Sequence, residues 1–161
     1  MKKMIVLALI FAAAVVTAFI IININAGCLK NFSKEISSFE KISLRISGMR
    51  FTEEYEIINK GEKTEIHLYN MNYSTGEEKR MLEKTAETET EEFIEFLNFC
   101  GFGSWNGFFG KHPKNVKDGI MFNLTAVINS GEILKAEGSE NFPGGYRDFV
   151  KELDRLLNRG E

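Results

Sequence analysis

Between Gly101 and Gly119 the chain reads GFGSWNGFFGKHPKNVKDG, with lysines, a histidine, glycines and four aromatic residues packed into nineteen positions. Glycine-flanked lysine is the raw material of a phosphate loop. The G-x-x-x-x-G-K-[ST] pattern, however, would need glycine where Trp105 stands and a hydroxyl where His112 stands. Without that hydroxyl the loop has no ligand for the magnesium ion that accompanies a nucleotide. Gly101 and Gly103 are followed by Asn106, so G-x-G-x-x-G fails as well. No nucleotide and no other cofactor is expected.

The remaining reactive side chains do not assemble locally. His67 and His112 lie far apart, with no H-x-x-x-H, C-x-x-C or D-x-D spacing near either, whereas a metal needs three or four converging ligands. No metal site is expected. Ser104 and Ser139 sit beside glycines but outside G-x-S-x-G, the strained turn that presents a nucleophilic serine. Asp118 precedes Gly119, which is turn chemistry before it is catalysis. No catalytic set is expected from local motifs; a hydrolase would have to gather distant groups, with Glu54, His67 and His112 as the candidates.

Aromatic side chains offer another chemistry, that of contact. Trp105, Phe108 and Phe109 fall close together in a connector. Two readings stay open. Exposed, they form an apolar patch for a protein or envelope partner; buried, they are a satellite core that fixes the loop.

The elements that must carry these residues begin with an N-terminal apolar segment. Met4 to Ile21 is eighteen residues without a charge, preceded by Lys2 and Lys3. At 1.5 Å per residue it approaches the ~30 Å of a bilayer's hydrocarbon layer. Lysines ahead of it place the rest of the chain outside. Residues 1–27 are therefore expected to be a signal peptide or transmembrane anchor, residues 28–36 a tether, and 37–160 an extracytoplasmic domain at the cell membrane. Asn25-Ala26-Gly27-Cys28 resembles a bacterial lipobox, which makes Cys28 a candidate for lipid attachment, although Asn25 replaces the usual aliphatic residue. Lipoprotein, uncleaved anchor and ordinary cleavage all remain open. The other cysteine, Cys100, falls on an apolar helix face and reads as a small buried hydrophobe.

Lys2 and Lys3 are the only charges in residues 1–28, which leaves 18 basic and 23 acidic side chains beyond them. That balance repels phosphate backbones, and no nucleic-acid partner is expected.

Strands are read over 41–46, 51–58, 63–71, 119–128 and 132–138, with 119–128 apolar on both faces; 77–87 is either a strand, the favoured reading, or an irregular segment. A helix over 89–100 follows from the stripe Phe93, Phe96, Leu97, Cys100 and from Thr88 and Glu91 at capping-box spacing. A last helix opens at Pro143, carries Tyr146, Phe149, Leu153 and Leu156 on one face, and stops at Gly160. Short hairpin links argue for an α+β fold: an antiparallel sheet of about five to six strands with two helices packed on one face.

Residues 90–157 carry a further pattern: Trp105 in a loop, Asp118-Gly119 entering a strand, and Gly138-Ser139-x-x-Phe142-Pro143 before an amphipathic helix. This resembles uncharacterised exported bacterial proteins, often lipoproteins. The resemblance implies export and this domain architecture, and it is silent about activity.

Overall fold

The computed structural model describes residues 34–72 and 79–159. The expected anchor, Cys28, most of the tether and the Gly160 stop lie outside the described residues. The strands are β1 (Phe39–Ser47), β2 (Thr52–Asn59), β3 (Lys63–Asn72), β4 (Lys79–Glu89), β5 (Phe108–Gly110), β6 (Met121–Ile128) and β7 (Glu132–Ser139). Among the described residues the helices are α1 (Thr90–Phe99) and α2 (Tyr146–Leu157), with one 3₁₀ turn at Phe102–Trp105.

All seven strands join one sheet in the order β4-β3-β2-β1-β6-β7-β5. This α+β architecture matches the expected class, and two details differ. The sheet has one strand more than expected, and it is mixed, because β5 runs parallel to β7. The other neighbours are antiparallel.

Alternation explains which face is covered. Ile42, Leu44 and Ile46 on β1 are buried, as are Tyr55 and Ile57 on β2 and Leu124, Ala126 and Ile128 on β6. Phe93 and Leu97 of α1 and Phe149, Leu153 and Leu156 of α2 join them in one hydrophobic cluster. The intervening residues, Ser43, Arg45, Glu54, Glu56, Asn123 and Thr125, stay at least partly accessible on the other face.

Both helix starts depart from the sequence expectation. Thr88 is still paired with Thr64 in the β3–β4 ladder, so the Thr88–Glu91 capping box does not form and Glu89 is the N-cap. Thr90 instead buries its hydroxyl against that of Thr64, 3.0 Å away. Pro143 precedes α2 rather than opening it; the N-cap is Gly145, at φ +78°. A Cβ there would lie 2.2 Å from the Cys100 carbonyl oxygen, so only glycine lets the end of α1 meet the start of α2.

At one end of the sheet the chain joins β1, and the side chain of Asn129 holds it. Asn129 Oδ1 accepts from the Ser37 amide at 2.8 Å, and Nδ2 donates to the Glu35 carbonyl at 2.8 Å. Asn129 and Ser130, at φ 43° and 67°, form the tight β6–β7 turn that places this side chain. From there β1 runs to Ser47, which faces Thr52 and Met121 at the far end.

Candidate functional site

The aromatic loop is built by two left-handed glycines. Gly101 at φ +67° turns the chain out of α1, and the 3₁₀ turn then drops Phe102 and Trp105 into the core. Gly107 at φ +77° turns it again, and its amide donates to the Lys135 carbonyl at 2.8 Å, which starts β5 alongside β7. Alternation along β5 does the rest. Phe108 leans inward on Phe122, with ring centroids 6.2 Å apart, and Phe109 points out beside Glu137.

The three expected contact aromatics are therefore divided. Trp105 is fully buried, edge-on to Phe149 at 5.6 Å and 4.8 Å from Phe102. Its indole N–H donates to the Gly144 carbonyl at 2.8 Å. The indole has both its apolar contacts and its hydrogen-bond partner inside the fold, as in the buried of the two readings left open above. Phe108 is half-buried against the core. Phe109 is 64% exposed.

Phe109 forms one wall of a pocket of about 560 Å³ on the sheet face that the helices leave uncovered. Met121 and Asn123 of β6, Arg45 of β1, Glu137 of β7 and Lys111 complete most of the lining. Sequence separation hid this grouping: its members come from four strands and a loop. A second concavity, between Phe109, Thr125 and Lys135, lies on the other side of the ring.

His112 lines the first pocket and is held at both ring nitrogens. Nε2 lies 2.7 Å from the Val116 carbonyl and Nδ1 lies 2.8 Å from Ser139 Oγ. A carbonyl can only accept, so Nε2–H donates to Val116; in the neutral tautomer this selects, Nδ1 accepts from the Ser139 hydroxyl. This is a serine facing a histidine base, a pair that local motifs did not signal. What the pair does here is pin the 111–119 loop to the end of β7.

Glu54 and His67 are elsewhere. Glu54 meets Arg80 at 3.3 Å, and Arg80 lies over the Tyr69 ring, 3.5 Å from its centre, while also reaching Glu56. Lys41 pairs with Glu56 as well. Burial alone would raise the Glu56 carboxyl, but the Lys41 hydrogen bond and the Arg80 charge outweigh it and hold it low. His67 bonds the Tyr69 hydroxyl through Nδ1 at 3.2 Å and faces Glu65. Neither Glu54 nor His67 lines the pocket that contains His112, so the expected hydrolase trio is not gathered.

On the helix side a smaller cleft holds Glu53, Glu83, Tyr55 and Asp154. The Tyr55 hydroxyl donates to Asp154 Oδ1 at 2.9 Å. Burial, with the charges of Asp154 and Glu83 adding to it, raises the Glu53 carboxyl above its usual range. Among the described residues no cluster of His, Cys, Asp and Glu is placed to hold a metal ion, and no helix is long and apolar enough to cross a membrane.

Neither a known family, nor a curated protein, nor a solved structure matches this chain.

Proposed function

We propose that the protein is a membrane-anchored extracytoplasmic binding module, with its contact surface on the uncovered sheet face around Phe109. The observation that carries this reading is Phe109 itself. It is a large aromatic side chain, 64% exposed, standing between two concavities on a face that the helices do not cover. Such a residue is costly to leave in water and is the kind of anchor that interfaces bury. Cys28 and the segment Met4–Ile21 supply the attachment to the membrane in this reading, and export follows from that segment and from the two lysines ahead of it.

The test is affinity capture of the full chain from envelope extracts, comparing wild type with Phe109→Ser. Exposure of Phe109 keeps the variant folded, so loss of a partner reports on contact; identical capture profiles refute the reading. For the attachment, mass spectrometry of Cys28 decides between a lipidated N-terminal cysteine and an unmodified internal one.

A further inference from the structure

The exposed apolar side chains are not scattered evenly. Met49 and Phe51 lie in the β1–β2 turn, Ile120 and Met121 lead into β6, and Phe109 stands on β5. The registers Ser47↔Thr52, Ser47↔Met121, Met121↔Ser139 and Gly110↔Gly138 bring these segments to one end of the sheet. Among the described residues Phe99 and Ile133 are exposed away from it, and Met81 and Leu82 are exposed on β4, at the opposite edge of the sheet from Phe109. The Phe109 end is opposite the one where Ser37 and Ser38 lead into β1 beside Asn129.

Charge is sorted the same way. Arg50, Lys111, Lys114 and Lys117 lie at this end, against Asp118, Glu137 and Glu140, while Arg45 stands opposite Glu54 of β2. Glu140 accepts from the Ile120 amide and Glu137 from Asn123 Nδ2 at 3.4 Å; both keep their charge, so the basic excess is small and sits in the turn and loop, on Arg50, Lys111, Lys114 and Lys117. A locally cationic surface thus sits on a chain whose net charge is −3. The His112 bonds to Ser139 and Val116 tie the 111–117 loop to the end of β7, and of its lysines Lys111 lines the pocket.

From this geometry we infer that the distal end of the sheet docks an acidic protein segment carrying a bulky apolar side chain, an inference that rests on the binding reading above. The apolar group enters the pocket between Phe109 and Met121. Carboxylates flanking it meet Lys111, Lys114, Lys117 and Arg50. A protein segment fits better than a lipid surface, because a planar bilayer cannot fill a concavity set into the sheet face. Cationic rim and apolar pocket also divide the work: the rim steers and selects, and desolvation of the pocket holds.

The experiment uses the full-length chain with zwitterionic lipid and short synthetic peptides, read by fluorescence anisotropy. The probe is a glutamate-rich peptide with a central phenylalanine; its controls replace the glutamates with lysine or the phenylalanine with alanine. Binding of the probe should weaken at least about tenfold with either control peptide, and similarly with Phe109→Ser or the double variant Lys111→Glu, Lys117→Glu. Affinity should also fall as salt rises. Equal binding of the lysine peptide overturns the inference. So does Phe109-dependent binding to anionic vesicles in place of the probe, or concentration-dependent self-association that the same substitutions abolish. If every peptide fails while Phe109→Ser still removes a partner in the capture experiment, the acidic-segment chemistry is wrong and the binding reading survives. If Phe109→Ser changes neither, both fall.

Discussion

Replacing Trp105 tests the division of the aromatic loop directly. The indole is fully buried against Phe102, Tyr146 and Phe149 and donates to the Gly144 carbonyl. An aromatic side chain buries roughly 150–250 Å², worth about 4–6 kcal/mol at ~25 cal/mol per Å². Measured large-to-small costs for buried aromatics run about 3–5 kcal/mol, and the stranded carbonyl adds about 1. Trp105→Ala should therefore destabilise by about 4–5 kcal/mol. Trp105→Phe, which keeps much of the ring and loses the hydrogen bond, should cost about 2 kcal/mol. With a urea dependence of about 2 kcal/mol per M, the alanine variant's midpoint drops by about 2 M. Far-UV circular dichroism is the suitable probe, because the substitution removes the only tryptophan. Phe109→Ala, by contrast, should stay within about 0.5 kcal/mol of wild type. A loss under about 1 kcal/mol for Trp105→Ala, or a larger loss for Phe109→Ala than for Trp105→Ala, refutes the placement of these side chains.

Other predictions follow from the same packing. Gly145→Ala, forced into φ +78° and against the Cys100 carbonyl, should cost about 2 kcal/mol or more in thermal unfolding. Gly144→Ala, with nothing within 4 Å of a new Cβ, should be near neutral, and equal losses at the two sites would undo the account of the α1–α2 joint. Glu53 and Glu56 should tilt stability in opposite directions with pH. The raised Glu53 carboxyl means that the folded state holds its proton more tightly, so its contribution declines as pH rises from the ordinary carboxylate value through the raised one. Glu53→Gln should accordingly compare best with wild type near neutrality. Glu56, held low, stabilises above the ordinary carboxylate value and less as pH falls through its own, so Glu56→Gln should compare worst near neutrality. Parallel pH profiles in urea titrations would contradict both. The Cys100 thiol, pushed up to about 11 by burial with Asp148 and Glu152 adding to it, should resist maleimide until the domain unfolds.

Much of the scaffold was legible because it obeys simple periods. Alternation along 41–46 and the stripe Phe93–Leu97–Cys100 place β1 and α1 within a few residues of their observed limits. β5 was not legible: three residues are too few for a period, and its parallel partner lies 28 residues further on (Phe108↔Ala136). The split between Trp105 and Phe109 escaped for a related reason. One hangs from a 3₁₀ turn and the other from a strand, and no sequence period spans that change of geometry. The pocket needed the sheet order, since Arg45 and Glu137 approach only because β1, β6 and β7 are neighbours.

The position of β1 has a mechanical consequence. It is hydrogen-bonded on both sides, to β2 and to β6, and it is the strand through which the chain enters the sheet. Tension between a hold at Ser37 and a grip at the opposite end runs along β1 and tries to slide it between its two neighbours. Sliding loads both ladders in shear, so their hydrogen bonds bear the force together and do not peel one by one.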